Sequence, residues 1–336
     1  MFNHCIVGAG ASGILLILLL IESRHVYPKD IALIDPQLDG GDLTRKWYPV
    51  ISNTPWSVTI NAIRKFLPSL TIPTWALEMQ MEKPTPVGKI SRLLVDLLAP
   101  YRNEIKYFQA SAQTVNWSNG TWIITLSNGN TLQSGKVHLT FGSESKSLSY
   151  PVPSIPLEIA LDSRKLSDYI RGDETVVVFG TAHSGTLVLK NLVDSAVKKV
   201  YALHTGTAAF KWARDGEYDG LKLEAAAIAD DIVHLKYPAI QLIPLSEVDR
   251  LPPSSTLDWV IYAIGFQSRK SCKILVDGSE IDSTLYDGRS GRLTNAPNAW
   301  GFGIAYPSLA PDAIHWDVGI SSFLEHIHRQ IPQILS

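Results

Sequence analysis

Cysteine is scarce in this chain of 336 residues, which contains only Cys5 and Cys272. Two such distant cysteines exclude a disulfide framework, a Cys-x-x-Cys dithiol centre and a cysteine-rich zinc site. The two histidines of the last predicted helix, His326 and His328, would point to nearly opposite sides, so we expect no metal there. The low cysteine content fits a reducing compartment and predicts a cytoplasmic protein.

The chain also lacks a long apolar run and an excess of charge of one sign. Its most apolar stretch, Ile14 to Ile21, is far shorter than the roughly 20 residues that cross a bilayer. Lysine and arginine number 30 against 32 acidic residues, a formal net charge of −2. We therefore expect neither a membrane nor a nucleic acid as partner, but a small molecule. The length predicts two domains or one large α/β domain.

A glycine-rich turn lies between a strand and a helix near the start of the chain. Gly8, Gly10 and Gly13 follow the apolar strand residues 5–7 and precede a helical run from Ile14. This G-x-G-x-x-G pattern brings a pyrophosphate to the helix N-terminus. Asp35, at the end of the next predicted strand, stands where an acid holds ribose hydroxyls, so the sequence predicts dinucleotide binding. The alternative is a tight turn without a ligand.

A second turn of the same kind follows the apolar strand 176–179. It runs from Gly180 to Gly185, with Ala182 where the second glycine would stand. His204 occupies the position after the next strand, where an acid would bind a ribose, and Lys211 and Arg214 follow. A missing acid with nearby cations favours a 2′-phosphate, and hence NADPH, with NADH as the alternative.

The remaining pattern predicts an α/β fold. Helices are expected at 58–66, 87–98, 221–229 and 318–331, and the Asn-Gly pairs at 119–120 and 128–129 predict an antiparallel meander from 111 to 134. Two strand–turn–helix units predict two Rossmann-like three-layer dinucleotide-binding domains.

These motifs resemble the two-dinucleotide-binding flavoproteins, and most of all the flavin-containing monooxygenases with their Baeyer-Villiger and N-hydroxylating relatives. The matching segments are Gly8–Gly13, Gly40-Gly41 followed by Trp47, Ser52-Asn53-Thr54-Pro55, Gly180 with Ser184-Gly185, and the segment from Asp258 to Gly265-Phe266. Trp47 stands six residues after Gly41 where the family has two, and Ile264 replaces a family threonine.

The resemblance implies an FAD-binding domain at 1–160 and 260–336 and an NAD(P)H-binding domain at 161–260, the second inserted in the first. For FAD it implies contacts from Gly8, Gly10, Ala11, Ser12, Gly13, Asp35, Gly41, Trp47, Gly142, Gly303, Trp316 and Asp317. For the nicotinamide nucleotide it implies contacts from Gly180, His183, Ser184, Gly185, His204, Lys211 and Arg214.

The implied reaction is hydride transfer from NADPH to FAD, followed by O2 and a C4a-(hydro)peroxyflavin that oxygenates a small organic substrate. Asn53 is the implied catalytic residue, holding the nicotinamide nucleotide beside the flavin edge. The alternatives are a flavin reductase or oxidase that passes electrons to an acceptor, and a catalytically silent flavin-binding redox sensor.

Local alternatives remain at five positions. Asn53 could form an Asx turn before Pro55. Trp47 and Trp56 could stack on flavin or fill the loop core. His183 could be only a neighbour of a helix cap. Asp317, which follows His315 and Trp316, could be a helix N-cap.

Overall fold

The computed structural model describes residues 1–214, 217–269, 271–310 and 316–336, without the Arg214 side chain. The strands are β1 (Phe2–Val7), β2 (Ile31–Ile34), β3 (Ile51–Pro55), β4 (Pro84–Pro86), β5 (Lys106–Phe108), β6 (Ala112–Ser118), β7 (Thr121–Leu126), β8 (Thr131–Leu139), β9 (Ser143–Ser145), β10 (Thr175–Phe179), β11 (Lys199–His204), β12 (Trp212–Arg214), β13 (Glu217–Tyr218), β14 (Ile240–Pro244), β15 (Trp259–Tyr262), β16 (Phe266–Ser268), β17 (Lys273–Val276), β18 (Ser279–Glu280), β19 (Ala299–Gly301), β20 (Ser308–Leu309) and β21 (Trp316–Asp317).

The α-helices are α1 (Ala11–Glu22), α2 (Asp42–Arg45), α3 (Trp56–Phe66), α4 (Thr74–Leu77), α5 (Val87–Leu98), α6 (Leu157–Ala160), α7 (Ser163–Leu166), α8 (His183–Asp194), α9 (Leu223–Val233) and α10 (Ile320–Leu335). The helices expected at 58–66, 87–98, 221–229 and 318–331 are confirmed within a few residues. In the described residues, no helix is both long and apolar enough to cross a lipid bilayer.

The first sheet has β1 at its centre. β5, β2, β1, β8 and β19 run parallel in that order across the sheet. The carboxyl end of the central strand therefore opens between its two neighbours, where parallel α/β sheets bind ligands. Cys5 and Ile6, which point to opposite faces of β1, are both fully buried, as expected of a parallel strand covered on both sides.

Helices cover one face of this sheet and the meander covers the other. The helical layer buries apolar residues of α1, α3, α5 and α10 in one cluster. The opposite layer is the antiparallel meander of β6, β7 and β8, whose inward residues include Trp122 and Ile124. At its first turn Asn119 and Gly120 both have positive φ, as an Asn-Gly hairpin requires. The expected meander is confirmed.

The second sheet has four parallel strands in the order β14, β11, β10 and β15. It is inserted between β8 and β17 of the first sheet, which confirms the predicted α/β class with one unit inserted in another. Two connections join the units, and they pair as the antiparallel ribbon β9–β16. Ile155 packs in the core of the second unit, and β15 pairs with its central strand. The boundaries at 160 and 260 stay predictions.

Two buried histidines lie side by side in the first sheet. The His4 and His138 rings are stacked, and their nitrogens share a hydrogen bond of 3.1 Å. Burial, reinforced by the charge of Lys136, lowers the pKa of His4 to about 4, and burial also lowers the pKa of His138. Both imidazoles are therefore neutral in the folded protein at neutral pH.

We predict that acid destabilises the fold through this pair. A histidine whose pKa is lower in the folded state contributes full stability above its unfolded pKa of 6.5, and that contribution falls as the pH drops towards 4. For His4 alone, the free energy of unfolding should fall by about 2 kcal/mol between pH 7.5 and pH 5. Denaturant titration across this range measures the slope.

The double variant His4→Leu with His138→Leu should make that slope shallower by the share of this pair, because both partners become apolar together, while the lowered pKa values of His183 and His326 keep the rest. His25 is exposed, so His25→Ala should leave the slope unchanged. A stability that is independent of pH between 7.5 and 5 in the unaltered protein would contradict this account.

Candidate functional site

The first glycine turn joins β1 to α1 by close backbone contact. Gly8 has a φ of +112°, and a Cβ there would lie 2.5 Å from Thr140 O. A Cβ at Gly13 would lie 2.1 Å from Gly8 O. The absence of both side chains therefore allows the helix to start directly above the end of the central strand.

At Gly10, neither backbone packing nor backbone conformation requires the absence of a side chain. Its φ of −75° and ψ of −176° are open to any residue, and a Cβ there would meet no protein atom within 4 Å. Gly10 is the N-cap of α1, and no described side chain caps this helix end. The missing side chain leaves open space before unpaired helical N–H groups, which is the arrangement that binds a phosphate.

Predicted residues from distant segments converge on this helix end. A Cβ at Gly41, where φ is +76°, would lie 2.9 Å from Gly10 Cα. A Cβ at Gly303, where φ is +93°, would lie 2.1 Å from the Ser12 hydroxyl. Gly41 and Gly303 therefore border the start of α1, and we call the region formed by Gly10, Ser12, Gly41 and Gly303 the first cradle. Gly142 follows β8 with open space beside it, and its contact with FAD stays a prediction.

Asp35 is buried behind the first cradle. Its Oδ2 accepts a hydrogen bond of 3.0 Å from Ala9 N, and its Oδ1 accepts from Gln37 N and Leu38 N. These bonds hold the turn together. A carboxylate oxygen has two lone pairs, so Oδ2 keeps one for another donor. Its predicted contact with a ribose stays a prediction.

A small cavity of about 50 Å³ lies beside the first cradle, between Ala9, Ile14, Leu33, Leu38, Gly40, Val95, Leu98, Ala99, Arg102 and Tyr107. The open space at Gly10, before the N–H groups at the start of α1, fits the phosphates of a dinucleotide.

The second glycine turn repeats the geometry of the first. A Cβ at Gly180, where φ is +98°, would lie 2.3 Å from Ala263 O, and one at Gly185 would lie 2.1 Å from Gly180 O. Ala182 is the N-cap of α8, with a φ of −68° and ψ of −172° that match those of Gly10. Its methyl group occupies the place that is open in the first cradle, so a phosphate has less room.

His183 links the second turn to the first unit. Its Nε2 donates to Ile51 O across 3.4 Å, and its Nδ1 is buried without a hydrogen-bond partner. Burial lowers the pKa of His183 against the opposing effects of Ile51 O and Glu224, so the ring is neutral at neutral pH. His183 therefore does more than stand beside a cap, because it contacts the strand that carries Asn53. Ser184 follows it, half-buried.

At the predicted ribose position of the second site, polar groups of the chain bond to one another. His204 is buried, and its Nδ1 lies 3.0 Å from Gly206 O. Thr181 Oγ1 donates to Ala209 O at 3.1 Å, which draws the loop after β11 over the glycine turn. Lys211 is exposed beside this loop. The backbone of Arg214 ends β12, and its side chain lies outside the description.

Trp47, Trp56 and Trp316 each pack against other side chains of the protein, and the predicted FAD contacts of Trp47 and Trp316 stay predictions. Trp47 meets Phe266 edge-on at 5.6 Å and packs, with Val50, against the core of the second unit. Trp56 is 1% exposed, and its Nε1 donates to Ala76 O, so it fills the first core. Trp316 is half-exposed and packs against Tyr286.

Two local alternatives from the sequence are wrong. Asp317 pairs with Ser308 in a short strand contact, and α10 is capped by Gly319, so Asp317 is not the N-cap. Asn53 is exposed on β3. In the described part of the chain, the side-chain bonds of β3 come from Ser52, whose hydroxyl donates to Thr54 O, so Asn53 forms no Asx turn. His315 lies outside the described residues.

The sequence analysis missed three residues around the first cradle. Thr140 donates from Oγ1 to both Val7 O and Gly8 O and so fixes the turn. Arg269 donates to the Asp42 carboxylate, directly after Gly41. Burial raises the pKa of Asp42, but Arg269, Lys46 and Arg45 outweigh burial and hold it below its usual value. No motif marks Thr140 or Arg269, since both act through contacts that are distant in sequence.

Solved structures of known proteins share this fold. A flavin-containing monooxygenase from Stenotrophomonas maltophilia is 13% identical, with 99% of this chain and 98% of that chain covered and a TM-score of 0.64. A bacillithiol disulfide reductase from Staphylococcus aureus is 14% identical over 99% and 98%, with a TM-score of 0.65. A thioredoxin reductase from T. acidophilum is 16% identical over 99% and 97%, with a TM-score of 0.58.

No family model matches the sequence. No curated protein matches it either. At these identities the structural likeness establishes the fold alone. The chain has the two-domain architecture of FAD- and NAD(P)-binding oxidoreductases, and the predicted resemblance is confirmed at that level.

We predict that Gly13→Ala and Gly10→Ala differ in their effect on the free energy of unfolding. Gly13→Ala should lower the free energy of unfolding by on the order of 3 kcal/mol, because its Cβ collides with backbone. Gly10→Ala meets no protein atom and should stay within about 1 kcal/mol of the unaltered chain. Denaturant titration of both variants tests this, and equal losses would contradict the assignment of Gly10 to ligand access.

Proposed function

We propose that this protein is an FAD-dependent oxidoreductase that consumes NAD(P)H. The observation that carries the proposal is the pair of glycine turns with the same geometry, Gly8 to Gly13 and Gly180 to Gly185, in one chain. Each places an uncapped helix N-terminus at the carboxyl end of a central parallel strand. A chain with two such sites can hold two dinucleotides at once.

The first cradle is assigned to FAD. Bound flavin would supply the hydride and electron chemistry, which no amino-acid side chain provides. The chain's own part is to bind and orient it. The N–H groups at the start of α1 would face the pyrophosphate beside Gly10, Gly41 would line the cradle, and Ser12 and Gly303 would hold its far side.

The second site is assigned to NADPH. The position after β11 is His204 rather than an acid, so no carboxylate there repels a 2′-phosphate. Lys211 is exposed beside that position and is suited to pair with the phosphate, as is Arg214 by its place in the sequence. His183, bonded to Ile51 O, would fix the second helix against the strand of Asn53.

Within this class we propose a monooxygenase acting on a small organic substrate with O2. A reductase that relays electrons through its own thiols is disfavoured by both cysteines. Cys5 is fully buried, and burial raises its thiol pKa; burial also raises the pKa of Cys272 to about 11. Neither sulfur is a ready thiolate. The exposed Asn53 amide is free to position a ligand between the two units, as the resemblance implies.

Flavin reduction tests the proposal. The purified protein should be yellow or take up added FAD, and NADPH should bleach its absorbance without air, faster than NADH does. Gly10→Ala should fold and yet bind FAD about tenfold more weakly, because its methyl group narrows the cradle. A colourless protein that refuses FAD would disprove the proposal, and immediate stoichiometric peroxide on re-oxidation would indicate an oxidase.

Replacement of Asn53 separates the oxygenase from the oxidase assignment. Asn53→Ala should leave stability and anaerobic bleaching unchanged and should raise the share of O2 released as hydrogen peroxide about tenfold, since the ligand is no longer held in place. A peroxide assay during NADPH oxidation measures that share. Asn295→Ala is the matched control, because Asn295 is exposed in a loop before β19. An unchanged share in Asn53→Ala would contradict this role.

A further inference from the structure

Arg269 joins three segments that are remote in the sequence. Its Nη2 donates to the Asp42 carboxylate and, at 3.2 Å, to Ser143 O. Its backbone N–H donates to Gly142 O at 3.3 Å. Arg269 directly follows β16, and Ser143 is the first residue of β9. The Arg269 side chain therefore lies at the end of the β9–β16 ribbon that joins the first unit.

The loop on the other side of Arg269 borders the first cradle. Asp42 comes directly after Gly41, whose backbone packs on Gly10. Within this loop, Gly41 N donates to Asp39 Oδ1, and Arg45 bridges Asp39 and Asp42 at 3.3 Å from each. These contacts tie the loop together, and among the described ion pairs of this loop Arg269 is the partner that comes from outside the segment 39–46.

Arg269 therefore connects the loop of residues 39–46 to the ribbon β9–β16, and we call this connection the brace. The ribbon contains both crossings between the two units. The Asp42 and Arg269 side chains are 19% and 30% exposed, which limits the screening of their contact by solvent. A guanidinium with two acceptors in different segments fixes direction as well as distance.

We infer that the Arg269–Asp42 ion pair couples occupation of the first cradle to the orientation of the interdomain ribbon. A pyrophosphate seated against Gly10 and Gly41 restrains the loop, the loop restrains Asp42, and Asp42 holds Arg269 with the ribbon. Arg269 is thus a positioning residue that acts through Asp42 and touches no reacting atom. The inference rests on the proposed flavin site for the identity of the occupant.

Hydrogen exchange of the ribbon, with and without FAD, tests the coupling. In the unaltered protein FAD should slow amide exchange in residues 143–146 and 266–268 by about fivefold, the lower range of allosteric coupling. In Arg269→Gln, FAD should still bind but change this exchange less than about twofold. Asp42→Asn breaks the same contact from the other side and should lose the coupling too, and the double variant should lose no more.

Arg250→Gln is the matched control. Arg250 pairs with Glu247, both side chains are exposed, and this variant should keep the full effect of FAD. Full FAD-dependent slowing in Arg269→Gln, or its loss in Arg250→Gln, would overturn the inference.

The two proposals fail separately. If the unaltered protein binds no FAD, the proposed function is wrong. The brace is then tested by hydrogen exchange in the protein without cofactor. Arg269→Gln should then speed exchange both in the ribbon and in residues 39–46, because one side chain restrains both. Faster exchange in the ribbon alone, or in neither segment, would overturn the brace.

Discussion

Direct backbone contact at the two glycine turns is the constraint on which the rest of the molecule depends. In each unit the helix after the first strand begins so close to the sheet that a methyl group would lie within 2.5 Å of a carbonyl oxygen. Only a residue without a side chain permits this spacing. The spacing sets where the helical N–H groups point, and the neighbouring strands and loops are arranged around that opening.

Much of this framework can be predicted from the sequence, because it depends on short-range sequence patterns. Glycines at fixed offsets, short apolar strands and Asn-Gly turns each act within about ten residues. They predict two strand–turn–helix units, the helix at Val87–Leu98 and the turn that contains Gly8, Gly10 and Gly13. The insertion of one unit in the other required the family resemblance. Gly41 and Gly303 required a family resemblance, since their place beside the cradle is set by tertiary packing.

Other features could not be predicted, because they depend on partners far along the chain. The Arg269–Asp42 pair links positions 227 residues apart, and nothing in either local sequence indicates the contact. Trp56 has the composition of a ring-stacking residue, but its indole N–H finds Ala76 O inside the core. Asp317 looks like a helix cap by type, but the positive φ of Gly319 ends the preceding segment instead.

The docking of Trp47 and Val50 against the second unit has a consequence for how the polypeptide is built. These side chains belong by sequence to the first unit, but they cover apolar surface of its neighbour. A fragment that contained only the second unit would expose that apolar surface to solvent and would tend to aggregate. Part of the apolar surface of the inserted unit is therefore covered by a segment that is synthesised about a hundred residues earlier.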